Sequence, residues 1–411
     1  MAPSFYDPSS PDEQEVALPS APLIALSSNA YLQPPLTRRG TGPGMIVFLP
    51  PSSAFKPNTE KTLDPKPVQK WAEEGFAVVG VTSGEGWSVE EALTKGIESL
   101  LGLKELDTRD KFAVYGELLN NFALVYDPEV LSSVISHIQQ LQDSRLSCLV
   151  AIGSPETLPS IPTYIHLPPS SAIPQGPHIT SHKFSKSPHF LLPQAADYAS
   201  GEATLAHSRI LVFLRKIIGG PIFDIEAIWE EHVYFEFEVR SVAKTMGTMV
   251  AEPYVNHVPT MTGGIGRKAL SAFYRDHFIF ANPVDTVMIP VSRTIGSDRV
   301  VDEFIFKMTH DKVVDWLLPG VPPTGRLLEI PMMGVINIRG DRLYHEHIWW
   351  DQATALLQAG ILPSYVPHSA PEGQKRLRLP VAGAESARLL MNEMDGKSNE
   401  MFGSDWGIQD A

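Results

Sequence analysis

The sequence predicts two folded domains, an α/β half with a mostly parallel sheet and an α+β half with a curved antiparallel sheet. Three observations carry this. Short apolar runs alternate with amphipathic helical stretches from Met45 to Ile218, the pattern of a parallel sheet covered on both faces. Helical stretches then give way to long alternating segments between Thr286 and Trp350, which suits a strand meander beside helices. The length, 411 residues, exceeds one domain at roughly 100–200 residues each.

The elements follow in order. Residues 1–40 are rich in Pro and Ser and read as a loose N-terminal arm, with Ala17 to Leu32 lying on the body. Met45 to Leu49 is a buried strand ended by Pro50-Pro51. Val68 to Glu74 is a helix closed by Gly75 at its C-terminal cap. Phe76 to Val81, Lys111 to Tyr115, Cys148 to Ile152 and Thr163 to Leu167 are further strands, with helices over Glu90 to Leu101 and Val134 to Leu141 between them. Ala203 to Ile218 is an amphipathic helix stopped by Gly219-Gly220-Pro221. These elements make one domain over 41–220.

A second domain spans 222–365. It opens on a single long helix from Ile225 to Met246, then a short strand at Tyr254 to Val258, the pair Gly263-Gly264 and a helix from Arg267 to His277. Strands follow at 286–294, 300–309 and 327–338, then the turn Gly340-Asp341 and a last strand, Leu343 to Trp350. Asp351 is placed to cap a final helix. Residues 366–411 are a polar tail with one short helical patch, Glu385 to Met394.

Composition excludes several classes of function. Lys and Arg number 33 against 47 Asp and Glu, a formal charge of −14, with no basic run. That disfavours nucleic acid and anionic membrane as partners and leaves a small molecule or a protein. The single cysteine, Cys148, excludes an internal disulfide and a Cys-based metal cluster, and its apolar strand reads as inert core. No apolar run approaches the ~18 residues of a membrane span. The start MAPSFYDPSSPDEQE lacks the basic and apolar regions of a secretory signal, so a cytoplasmic location is expected.

Three segments of the first half carry a family likeness: Trp71 to Val79, Lys111 to Gly116, and Ser187-Pro188-His189-Phe190 before a helix. In this order they resemble the dienelactone hydrolase (carboxymethylenebutenolidase) family of α/β-hydrolases over residues 29–218. That resemblance implies a strained G-x-C-x-G turn. This chain reads Gly116-Glu117-Leu118-Leu119-Asn120, so Leu118, which has no lone pair to attack a carbonyl, stands at the nucleophile position. The stretch Leu167-Pro168-Pro169-Ser170-Ser171, where the acid member should follow, offers no carboxylate, and only His189 remains of the implied triad. A lone histidine cannot run triad chemistry. The domain is therefore expected to be a degenerate α/β-hydrolase scaffold, a pseudo-hydrolase, with Glu117 a solvated residue.

In the second half, Tyr254-Val255-Asn256-His257, Asp298 to Val301 before Thr309-His310, and the run Gly340 to Asp351 resemble the SnoaL-like polyketide cyclases of the NTF2-like superfamily. That likeness implies a cone enclosing an apolar pocket, cofactor-free acid/base chemistry beside a carbonyl, and a possible homodimer. The chain departs from the family where His345-Glu346-His347 replaces Glu-x-Trp and Glu303 replaces an Arg.

The residues themselves point the same way. In a strand, i and i+2 share a face, so His345, His347 and Trp349 line up, opposite Tyr344, Glu346, Ile348 and Trp350. Imidazoles near neutral pH can give and take protons. The expected catalytic set is His345 and His347 as proton donor and acceptor, Glu303 as base or orienter, and His257 as binder of a carbonyl oxygen; paired with Arg293 or Arg299, Glu303 would instead be structural. Trp349, Tyr254 and Tyr274 are expected pocket walls, and His310-Asp311 a rim turn. No cofactor is expected; the alternative is a divalent metal on His257, His345 and His347. The expected function is thus an acid/base enzyme (cyclase, isomerase or lyase-like) on a small apolar carbonyl or ester compound. A dienelactone hydrolase-type hydrolase and a non-catalytic ligand-binding protein are the alternatives.

Overall fold

A computed structural model describes residues 3–49, 62–116, 128–155, 157–184, 188–193, 198–371 and 373–410. Leu118 and Glu117 lie outside these. His189 sits in a short 3-10 turn, Pro188–Leu191, with its side chain outside the description. The described residues divide into two compact units, one of residues 18–224 with 339–341 and one of residues 1–17, 225–338 and 342–411. Among the described residues no helix is long and apolar enough to cross a membrane.

The first unit is built on an eight-stranded, mostly parallel sheet. Its strands are β1 (Ile24–Ala25), β2 (Ala30–Gln33), β3 (Gly42–Leu49), β4 (Ala77–Thr82), β5 (Leu106–Gly116), β6 (Leu146–Ile152), β7 (Thr163–Leu167) and β8 (Ile179–Lys183), in the order β1-β2-β4-β3-β5-β6-β7-β8. β3 to β8 run parallel, while β1 and β2 add antiparallel at one edge. Four helices accompany them: α1 (Pro67–Glu73), α2 (Val89–Gly102), α3 (Pro128–Leu141) and α4 (Ser200–Ile218). Alternation along each strand feeds two cores. Ile46, Val79, Val114 and Leu149 pack on one face and Met45, Val78, Ala113 and Val150 on the other, which is why these strands read as unbroken apolar runs. Ser88 and Glu91 close a capping box at the start of α2. Gly219, in the left-handed region at φ 89°, ends α4.

The second unit has a six-stranded sheet, β10-β9-β14-β13-β12-β11. Its strands are β9 (Met249–His257), β10 (Thr262–Ile265), β11 (Val287–Ile295), β12 (Arg299–Thr309), β13 (Leu327–Arg339) and β14 (Arg342–Trp350). β14 pairs parallel to β9, while β11, β12 and β13 run antiparallel to their neighbours. Gly263, at φ 130°, lets β10 approach β9 where a Cβ would strike the Val255 carbonyl. Helix α5 (Ile225–Tyr234) packs on β12 and β14, and α7 (Arg267–Phe273) on β9 and β10.

The single long helix expected over Ile225 to Met246 is broken. After α5 the chain makes a π-helical segment, Phe235–Val239, and Arg240 turns left-handed at φ 55°. Ser241 then caps a separate helix, α6 (Val242–Gly247), accepting from the Lys244 amide. Likewise α7 runs into a π-helical segment, Tyr274–Phe278. Asp351 caps α8 (Gln352–Gln358), accepting from the Ala353 and Thr354 amides.

Two expectations for the chain ends are corrected. The N-terminal arm is laced down: the Glu13 carboxylate accepts from the Val242 and Ala243 amides, Lys244 pairs with Asp12, and β2 joins the large sheet. The tail forms a three-stranded sheet, β15 (Tyr365–Ala370), β16 (Gly373–Arg378) and β17 (Gly407–Asp410), besides helix α9 (Glu385–Met391). Arg376 lies over Tyr365 and Arg378 over Trp406, so cationic side chains cover aromatic faces in a segment with little apolar content.

Candidate active site

The second unit buries a set of ionisable groups that an apolar interior would not tolerate unpaired. His232 on α5 and Glu236, one turn later in the first π-helical segment, point into the unit. Tyr274, at the start of the second π-helical segment, and Glu346, at the middle of β14, meet them. All four are at most 4% exposed. His232 Nε2 stands 3.2 Å from Glu236 Oε1, 3.1 Å from Glu346 Oε1 and 3.2 Å from the Tyr274 hydroxyl. The Tyr274 hydroxyl donates to Glu346 Oε1 at 3.3 Å. Single-turn π segments recur at functional sites because the extra residue re-aims a side chain.

The hydrogen bonds define where the protons sit. The Thr248 hydroxyl donates to the Thr245 carbonyl at 2.7 Å. It therefore accepts from His232 at Nδ1, 2.6 Å away, and Nδ1 carries a proton. Nε2 then faces two carboxylates and a phenol oxygen. Burial alone would strip the second proton, but Glu236 and Glu346 outweigh it and lift His232 to about 10. The ring is an imidazolium at neutral pH. Burial and the neighbouring Glu346 charge raise Glu236 above the ordinary carboxylate range, against the pull of His232. Burial and both carboxylates push the Tyr274 phenol well above its ordinary value, so it remains a donor. Two carboxylates in contact with one imidazolium titrate as a linked set rather than as separate groups.

A second layer holds this set. The Trp229 indole stacks on His232, with ring centres 5.8 Å apart, and its N–H donates to Asp302 Oδ2 at 2.8 Å. Arg293 grips Asp302 with two bonds of 3.0 and 2.9 Å.

The residues expected from sequence are placed differently. His345 and His347 stack on each other, 4.4 Å between ring centres, beside Tyr254. They lie half-buried on the face of β14 opposite Glu346, with Trp349 46% exposed on that same face. Helices α5 and α7 cover the Glu346 side, and that decides which face is interior. His257 pairs in register with Ile348, whereas His345 and His347 pair with Tyr254 and Asn256. His257 thus faces the other way, among Phe273, Phe278, Trp316 and Trp350, bonded to Thr262. Burial lowers it to about 3, so it is neutral. The three histidines of the expected metal set therefore do not converge. Glu303 lies on the face away from Asp302 and accepts from the Ser292 hydroxyl; Arg293 pairs with Asp302 in its place. His310 is buried against Thr324 rather than at a rim. Tyr274, expected as a pocket wall, stands in the buried set.

Sequence reasoning passed over His232 and Glu236. Their signal is a His-x-x-x-Glu spacing inside an apolar helical stretch, which puts both on one face. Among the described residues, His232, Glu236 and Glu346 are the one group of three whose ligand atoms could hold a metal ion, all within 4.8 Å of one another.

No family model matches the sequence, and no curated protein matches it. Solved structures align over about a third of the chain. One is a SnoaL-like polyketide cyclase from Jannaschia sp. CCS1, at 17% identity and a TM-score of 0.28, covering 35% of this chain and 99% of that one. A protein of ketosteroid isomerase-like fold from Catenulispora acidiphila, solved with trimethylamine, aligns at 14% identity and a TM-score of 0.27, covering 34% and 97%. TsrD from Streptomyces laurentii aligns at 14% identity and a TM-score of 0.29, covering 34% and 100%. The dienelactone hydrolase likeness of the first half rests on the sequence segments alone.

Proposed function

We propose that the second unit is an acid/base catalyst, without a redox or group-carrying cofactor, for a small, largely apolar carbonyl compound. The observation that carries this reading is the buried set itself. Two carboxylates, an imidazolium and a phenol share hydrogen bonds of 3.1–3.3 Å in the interior. As scaffolding such a set is a poor investment, since apolar residues of like volume do as well or better, whereas shifted, interacting groups are what proton transfer requires.

The step is a proton abstraction beside a carbonyl. A carboxylate of Glu236 or Glu346 takes the proton as the C–H bond breaks. The electron pair moves to the carbonyl oxygen, and His232 and Tyr274 donate hydrogen bonds to that developing charge. The proton then returns at the same or another carbon, giving exchange, isomerisation or ring closure according to the substrate.

The test is hydrogen–deuterium exchange at carbon. The full chain is incubated in D2O with 2-tetralone, and loss of the α-proton signals is followed by NMR. Wild type exchanges faster than buffer, and Glu346→Gln and Tyr274→Phe lose ~10²-fold or more, the usual scale of acid/base catalysis. Exchange at the buffer rate with wild type, or unchanged by both substitutions, overturns the reading.

A further inference from the structure

The second unit also has an open cleft of about 350 Å³ between the α5–π segment and strands β11 and β12. That is within the ~300–1,000 Å³ range of small-molecule sites and has room for two or three fused rings. Tyr234, Phe237 and Phe304 give it flat aromatic walls. Its polar inventory is narrow. Arg293 lines it, but its NH1 donates to Glu226 and Glu230 and its other nitrogens to Asp302. Its charge is met by three carboxylates. Asp302 is likewise filled by Arg293 and by the Trp229 indole. The cleft therefore has no cation left to hold a carboxylate ligand. Glu230 and Glu238, both exposed, add negative charge at the lining. Among the lining groups one buried side-chain oxygen is unmet: the Thr286 hydroxyl has no hydrogen-bond partner.

We infer that this cleft binds a neutral, flat, mostly apolar molecule whose one oxygen pairs with Thr286, and that it discriminates against carboxylates. The acidic lining repels an anion, the saturated Arg293 cannot reward one, and the orphan hydroxyl rewards a neutral ketone or phenol. Asp302 links this wall through the Trp229 indole to His232. The binding does not rest on the proposed acid/base function and is measured without turnover.

The experiment titrates the full chain with 2-acetylnaphthalene and with 2-naphthoate by calorimetry, at low and at high salt. The ketone binds at least ~10-fold more tightly than the carboxylate at low salt, and the gap narrows as salt screens the acidic lining. Thr286→Val weakens the ketone by ~5–10-fold, the worth of one hydrogen bond, and leaves naphthalene unchanged. Val287→Trp, at an exposed cleft position, abolishes binding of the ketone. Glu230→Gln with Glu238→Gln strengthens the carboxylate and leaves the ketone unchanged. Equal affinity for ketone and carboxylate, no binding of the ketone, or binding indifferent to both Thr286→Val and Val287→Trp overturns the inference. Ketone binding without catalysed exchange would leave the cleft standing and remove the acid/base reading.

Discussion

Replacing Glu346 by Gln tests whether the buried charges are set as described. The substitution keeps the shape and removes one of the two charges facing His232 Nε2. Burial acts to lower that imidazole, while Glu236 and Glu346 together hold it at about 10. Against an unfolded value near 6.5, a group so raised contributes about 4 kcal/mol to folding at pH 7. Two carboxylates share this effect, and loss of one also relieves the repulsion on Glu236. The net cost of Glu346→Gln is then at most about 2 kcal/mol at pH 7, up to roughly 30-fold in the folding equilibrium. The sign with pH follows from the raised value. This contribution is fully present below about pH 6.5 and is lost as pH rises through about 10. In the variant the loss begins at lower pH. The other groups facing His232 are Tyr274, which stays protonated across this range, and Thr248, which does not titrate. Urea unfolding followed by tryptophan fluorescence between pH 6 and 10, with imidazole NMR for the titration, reads both effects. A change below about 0.5 kcal/mol at pH 7, within the scatter of ordinary surface substitutions, together with an unmoved alkaline limb refutes the pairing of an imidazolium at His232 with Glu236 and Glu346.

Other outcomes follow from the same geometry. His257, held near 3 by burial, binds a proton in the unfolded chain before it does in the folded one. Stability therefore falls as pH drops below about 6.5, by up to ~1.4 kcal/mol per pH unit, and His257→Phe flattens that limb in acid unfolding curves. His347→Ala leaves carbon–hydrogen exchange within about twofold of wild type, since His347 faces away from Glu346; a loss of ~10²-fold would return the outer histidines to the mechanism. Cys148, whose thiol burial pushes up to about 12, resists iodoacetamide in the native protein and reacts after denaturation, as mass spectrometry would show. Trp229→Phe keeps the ring over His232 but drops the bond to Asp302, costing ~1–3 kcal/mol by urea unfolding.

Much of the fold was legible because its signals are local. Thr163–Leu167 is read with its observed bounds, and β11 to β14 fall within a residue or two of their alternating segments, whereas β9 starts at Met249, ahead of the expected Tyr254, and β10 was read only as the pair Gly263-Gly264. The break after α5 was not, because Phe235 to Ser241 contains neither Gly nor Pro; the left-handed turn falls on Arg240, whose guanidinium reaches the Ile279 and Asn282 carbonyls. The site was half legible. Period two separates His345 and His347 from Glu346 correctly, but which face is interior depends on the helices that cover it, a tertiary fact. Two histidines on one face attract attention; a glutamate between them does not, until His232 is seen opposite. The sheet at the tail has no apolar signature, since its strands pair through backbone and cation–aromatic contacts.

The clasp of Glu13 on α6 has a practical consequence. A Pro- and Ser-rich leader of this kind invites trimming when a protein is prepared for crystallisation or assay. Here the trimmed piece would take with it the Glu13 carboxylate that holds the first amides of a helix ending at Gly247, next to Thr248, and Val16, which lies against Gly247. Thr248 fixes the proton on His232. A shortened preparation could fold, give good spectra and still misplace that proton, so a silent assay on it would be an artefact of where the chain was cut.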